Sequence, residues 1–180
     1  MIYVFFADGF EEVEAIATVD VLRRCGLDVL TVGIGSQMII GSHNMGIVCD
    51  VEDKFVVANG SIEAVVLPGG MPGTLNLEKS EKVQSFIDYA KENDKLICAI
   101  CAAPQILGHK GILNGKKATC YPGFDKELDG AEYTGELVCS DGNVITAKGA
   151  AAAILFGVEI ASRFVGEEKA RQVYDSMQHE

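Results

Sequence analysis

The stretch "KLICAICAAPQIL", residues 95–107, runs from apolar residues into a cysteine, two alanines and a proline. Its first part, "KLICAI", lacks the alternation that one wet face would impose, and so reads as a buried strand of a parallel sheet. Its second part opens "AAPQILGHKGIL", residues 102–113, which reads as a helix. Such strand-to-helix units build α/β folds, and the unit recurs along the chain.

"IYVFF", residues 2–6, is another buried strand, ending at "ADG". The segment from 8 to 26, "DGFEEVEAIATVDVLRRCG", is helical in pattern, with Asp8 and Glu11 as a capping pair and Gly26 as its stop. "LDVLTVGI" and "IEAVVLPGG" add strands, and "SEKVQSFIDYAKEN" adds an amphipathic helix. Between residues 37 and 55, the pieces "QMII" and "GIVCDV" are joined by "GSHNM" as a hairpin. A shorter β-rich stretch runs through "GELVCSDGNVITAKG", and two helices separated by Gly166 close the chain. Strands alternating with helices predict a single domain over residues 1–180, with a doubly wound, mainly parallel sheet sandwiched by helices. No internal repeat, low-complexity tract or linker interrupts it.

The chain of 180 residues is 48% hydrophobic and 23% charged, a globular composition. Its formal net charge of −11, with no basic run, argues against nucleic acid and anionic membranes as partners. The apolar start "MIYVFF" has no basic residue before it and stops at Asp8, and "AAAAILFGV" at 150–158 is too short to span a bilayer. A cytoplasmic protein is expected. Six cysteines, at 25, 49, 98, 101, 120 and 139, then read mostly as buried thiols.

Functional groups in doubly wound folds collect at the carboxyl ends of the strands. Three such ends stand out: "ADGFEEVE", "LPGGMPG" and "AICAAP". Cys101 sits where strand gives way to helix, a turn that projects a nucleophile from the sheet. The helix amides are expected to lower its pKa and increase the thiolate. Its position favours a functional thiol over a structural one. Cys98 and Cys101 spell C-x-x-C, which suits a dithiol or half a zinc site. Cys98 lies within the strand, however, and the histidines at 43, 109 and 179 are scattered, so Cys98 reads as core packing and no metal or cofactor is expected. Glu14 shares a helix face with Phe10, Ala17 and Val21, the face that should meet the sheet. A carboxyl there is desolvated, with a raised pKa, and could donate a hydrogen bond. A partly exposed glutamate at the helix edge is the other reading of the same spacing. Gly69 and Gly70 would let backbone approach a ligand and aim amides at an oxyanion, or simply form a turn.

Together, "DGFEEVEA", "LPGG" and "AICAAP" resemble the ThiJ/PfpI superfamily, nearest the branch of the parkinsonism-associated protein deglycase and its bacterial ThiJ-type relatives. The resemblance covers essentially the whole chain. It implies a flavodoxin-like sandwich, a nucleophilic Cys101, a protonated Glu14 beside it, and an oxyanion pocket from Gly69, Gly70 and the Ala102 amide. It implies a homodimer with its sites near the interface. Tyr121 in "CYPGF" stands where the glyoxalase branch carries histidine, and tyrosine is a poor base near neutral pH. His43 stands where relatives carry a basic residue near the dimer-related pocket, although as a residue it reads as an exposed loop histidine. Ala102 replaces the histidine that follows the cysteine in the peptidase branch. His179 and Glu180, at the extreme terminus, do not match the amidotransferase histidine and glutamate.

The resemblance implies glyoxalase or deglycase chemistry, without a cofactor, on small reactive dicarbonyls. The same two residues would also serve redox sensing, with an oxidant as the small-molecule partner, in a stress-response or chaperone protein. An intracellular peptidase and a thiazole monophosphate biosynthesis protein rank below these.

Overall fold

All five side chains of Ile2–Phe6 are buried, so this strand, β1, has no wet face. The computed structural model describes residues 1–178, and His179 and Glu180 lie outside the described residues. After β1 the chain forms α1 (Glu12–Arg24), β2 (Val29–Gly33), a hairpin of β3 (Met38–Ile40) and β4 (Gly46–Val48), and then β5 (Val51–Glu52). Next come β6 (Ala64–Leu67), α2 (Gly73–Lys79), α3 (Glu81–Glu92), β7 (Leu96–Ile100) and α4 (Pro104–His109). The remainder is β8 (Lys117–Ala118), β9 (Glu132–Tyr133), β10 (Val138–Asp141), β11 (Val144–Ala147), α5 (Ala153–Val165) and α6 (Glu167–Ser176).

The main sheet has the order β10-β11-β7-β6-β1-β2-β5, parallel throughout except at the β10–β11 hairpin. Alternate residues of its strands feed two cores. Tyr3, Phe5, Val65, Leu67, Ile97 and Ala99 face Leu77, Phe86, Ile87 and Ile106 of α2, α3 and α4. Ile2, Val4, Phe6, Val66, Cys98 and Ile100 face Ala15, Val19, Leu22, Phe156 and Ile160 of α1 and α5. The α/β class and the helix-flanked, mainly parallel sheet agree with the sequence reading.

Several local expectations are corrected. Glu11, not Asp8, caps α1: its carboxylate accepts from the Glu14 amide at 2.8 Å. Asp8 instead accepts from the Ile40 amide at 2.8 Å and so fastens the β3–β4 hairpin to the end of β1. The helix expected over 102–113 is only α4, because Gly111 takes φ +65° and turns the chain away. The segment "GIVCDV" does not form one strand. Asp50 breaks it by accepting from the Thr31 amide and hydroxyl, each at 2.8 Å, and β5 then joins β2 in the main sheet. No helix among the described residues is long and apolar enough to cross a membrane.

Candidate active site

The ends of β1, β6, β7 and β11 converge on Cys101. Its amide donates to the Ala147 carbonyl at 2.9 Å, and its carbonyl accepts from the Tyr121 amide at 2.8 Å. These bonds hold it at φ +65°, a left-handed conformation that few non-glycine residues adopt. Such strain persists only where neighbouring structure enforces it, and it concentrates at functional positions. Cys101 is also the one partly exposed cysteine; the other five are buried, and all six are free thiols. Cys98 lies in the core facing α1 and α5, as expected of a packing residue.

Glu14, in the first turn of α1, is 1% exposed. Its Oε2 accepts from the Gly69 amide at 2.9 Å, and its carboxyl hydrogen-bonds Cys101. Burial, followed by the Glu11 charge, raises its pKa to about 7 against the opposing hydrogen bonds from Cys101 and Gly69. The capping bond from Glu11 sets the first turn of α1 and thereby the direction in which Glu14 points. Gly69 is needed for the close approach: a Cβ there would lie 2.6 Å from the Cys101 Cβ and 2.7 Å from Glu14 Oε2. Gly70 takes φ +90°, and a Cβ on it would collide with the Glu11 amide.

Two of the three expected amides, those of Gly70 and Ala102, hydrogen-bond the Cys101 sulfur. The third, Gly69, is committed to Glu14, which removes it from the expected oxyanion pocket. The expected acidification of the thiol is corrected more sharply. Burial, the Glu14 charge and the Glu14 hydrogen bond push the Cys101 thiol up to about 12, although the Gly70 and Ala102 amides pull the other way. The helix behind it is too slight to prevail: α4 has six residues and begins at Pro104, which has no N–H. Protonating Glu14 removes its charge and turns its hydrogen bond towards the sulfur. Cys101 and Glu14 therefore titrate as a pair that shares a proton.

Tyr121 is half exposed, and its ring lies against Gly149. A Cβ at Gly149 would lie 3.4 Å from that ring and 3.9 Å from Glu14 Oε1. His43 is 69% exposed and pairs with Glu12, not with Cys101 or Glu14: its Nδ1 lies 2.8 Å from Glu12 Oε2, and its amide donates to Oε1 at 2.7 Å. Burial pushes the Glu12 carboxyl up, yet these bonds and one from Ser42 outweigh it and hold the pKa at about 2. The bond to Glu12, then its charge, raise the His43 pKa. Glu11, Glu12 and His43 bring ligand atoms within 4.8 Å of one another, but the Glu12 oxygens are already taken up by His43 and Ser42. The sequence reading missed Glu11 as the residue that orients Glu14, and missed the wall formed by Lys148 and Gly149. A signal for that wall existed, since "TAKG", after β11, is a fourth strand end and carries a glycine.

The DJ-1/PfpI family model matches residues 1–163. Protein DJ-1 homolog B of Arabidopsis thaliana is 35% identical over 174 residues, covering 96% of this chain, which spans only 40% of that longer protein. A glutathione-independent glyoxalase of Caenorhabditis elegans, DJR-1.2, is 34% identical over 165 residues, covering 91% of this chain and 87% of the relative. The crystal structure of Drosophila melanogaster DJ-1beta superposes with a TM-score of 0.93 at 34% identity, covering 98% of this chain and 96% of that one. With the family model matched over residues 1–163 and relatives about 35% identical along nearly the whole chain, the chain belongs to the DJ-1/PfpI family.

Proposed function

We propose that this protein converts small 2-oxoaldehydes to 2-hydroxy acids without glutathione, with Cys101 as nucleophile and Glu14 as proton carrier. The observation that carries the reading is the buried Glu14 carboxyl, with its pKa near 7, bonded to a strained and partly exposed cysteine. A relative that bears the name glutathione-independent glyoxalase supports the same chemistry.

In methylglyoxal, the Cys101 sulfur bonds to the aldehyde carbon while the thiol proton passes to the Glu14 carboxylate and on to the carbonyl oxygen. The Gly70 and Ala102 amides face the sulfur and stabilise negative charge as it develops there. Glu14 then takes the proton from the aldehyde carbon and returns it to the neighbouring carbon, while the hydroxyl proton moves to the ketone oxygen, turning the hemithioacetal into a 2-hydroxy thioester. Water cleaves the S–C bond, releasing lactate and restoring the thiol. Atoms balance as one water added per lactate formed. Tyr121 moves no proton in this scheme.

Redox sensing is the second reading, favoured by the donors around the sulfur. The Gly70 and Ala102 amides and a protonated Glu14 suit the oxygens of an oxidised cysteine as well as an oxyanion. The test is lactate formation from methylglyoxal by wild type, Cys101→Ala and Glu14→Gln. Turnover is expected in the wild type alone. Turnover retained in Glu14→Gln would remove the proton-carrier role, and none in the wild type would leave the redox reading.

The functional unit proposed is a homodimer. Val13 and Ile16 of α1 and Met38, Ile40, Met45 and Val48 of the hairpin are exposed, and Ile16 and Val48 line one groove between the two elements, apolar surface suited to a second copy.

A further inference from the structure

Beside the reactive pair is a cavity of about 280 Å³ whose lining is apolar but for one charge. Tyr121, Pro122, Leu137 and the alanines at 150–152 form its walls, and Lys148 supplies the charge. Lys148 follows Ala147, the residue whose carbonyl holds the Cys101 amide, and its own amide donates to the Leu137 carbonyl at 2.9 Å, so its backbone is fixed at the end of β11. Its Nζ donates to the Gly135 carbonyl at 3.2 Å and joins no ion pair among the described residues.

That isolation calls for an explanation. The chain has 26 acidic and 15 basic side chains, so carboxylates are the abundant partner, yet this half-buried ammonium faces none. An ammonium carries three donors, and Gly135 uses one. The others remain for a ligand. The cavity comes nearest the reactive pair at Gly149, a lining residue on which a Cβ would lie 3.9 Å from Glu14 Oε1 and 3.4 Å from the Tyr121 ring. The start of α5, whose cap residue Ala152 offers no side-chain acceptor, adds a positive potential on the same side.

We propose that this cavity holds the unreacted end of a small carbonyl substrate that bears a carboxylate, which pairs with Lys148 while the carbonyl carbon sits at Cys101. The proposal rests on the carbonyl reading above and narrows its substrate class. The apolar walls take the short carbon chain between the two groups. A volume of about 280 Å³ falls just below that of pockets for drug-sized ligands, about 300–1,000 Å³, and suits a ligand of a few carbons.

The test compares alkylation of Cys101 by iodoacetate and iodoacetamide, followed by mass spectrometry of the modified protein. Each reaction forms an S–CH2 bond and releases iodide and the thiol proton, and the reagents differ only in the carboxylate. The iodoacetate-to-iodoacetamide rate ratio is expected to fall roughly fivefold in Lys148→Gln, as the loss of one half-exposed charge contact implies. It is expected to stay near the wild-type ratio in Lys148→Arg, and to shrink in 0.5 M salt, on the order of a 4 Å Debye length. An unchanged ratio in Lys148→Gln overturns the subsite, and so does a ratio that falls as far in Lys148→Arg. Alkylation needs no turnover. A protein that leaves methylglyoxal untouched but shows the Lys148-dependent ratio loses the glyoxalase reading and keeps the anion subsite; turnover with an unchanged ratio does the reverse.

Discussion

Glu14 carries a carboxyl that its surroundings keep neutral up to a pH of about 7. The unfolded chain gives up that proton near the ordinary value of 4.5, so between those two pH values the folded protein binds more protons than the unfolded one. Stability is then fully present below the lower value and declines as pH rises through the upper one, by on the order of 3 kcal/mol. Glu14→Gln has no proton to lose, and its amide can still accept from Gly69 and donate to the sulfur. Urea melts at pH 5 and pH 8 should show this variant gaining on the wild type at the higher pH, even as turnover disappears. A wild-type stability that is flat relative to Glu14→Gln over this range would contradict the buried-carboxyl account. Cys101 was legible in the sequence as a strand-end cysteine before a helix, whereas helical spacing left Glu14 open between a sheet-facing and an edge position, and it was the resemblance that joined the two. The direction of the thiol's shift was not legible. It depends on a charge at hydrogen-bonding distance, and helical spacing gives a face, not a distance.

Elements α1 and α5 approach closely at Gly157, where a Cβ would lie 2.9 Å from the Val21 Cβ and 3.4 Å from the Thr18 Cα. Val21 and Thr18 are both buried, so neither can yield into solvent. Gly157→Ala should therefore destabilise the protein by about 1–3 kcal/mol, read as a lower urea midpoint with an unchanged slope. A second contact joins three segments that lead away from the site. His109, at the end of α4, lies 2.5 Å from Glu78 of α2 through Nδ1 and 3.0 Å from Glu127 through Nε2. The bonds to Glu78 and Glu127 raise its pKa, so the tie is complete below the ordinary histidine value of 6.5 and is lost as pH climbs through the raised one. His109→Gln should accordingly lower Tm more at pH 6 than at pH 9; an equal loss at both would make the contact a matter of shape. Elements with a continuous apolar run, such as β1 and β7, could be read from sequence. The helix α2 could not, because its "MPGTLN" start carries the turn-forming residues of a loop. Nor could the stop at Gly111, where a left-handed residue overrides an apolar pattern that continues to Leu113.

At the scale of the whole molecule, the acidic balance and the apolar face pull against each other. A net charge of −11 makes two copies repel, whereas Val13, Ile16, Met38, Ile40, Met45 and Val48 gain by leaving water together. The groove between α1 and the hairpin, lined by Ile16, Val19, Ile47 and Val48, places both elements on one side of the molecule, so a second copy can cover them at once. The charge nearest to this face is moderated. Glu12 is buried and already paired with His43, and Arg23 lies 2.6 Å from Asp50 at the groove. Repulsion between the copies is thus long-ranged and screened by salt, whereas the apolar contact is not. Sedimentation equilibrium should report a species of twice the chain mass, and the dissociation constant should fall as salt rises from about 20 to 200 mM, over which the Debye length shrinks several-fold. Ile16→Asp and Val48→Asp, on exposed positions of different elements, should each yield a folded monomer. A wild type that remains monomeric at high salt, or aspartate variants that still pair, would assign this face to some other occupant. Far-ultraviolet circular dichroism of the same samples separates loss of pairing from loss of fold.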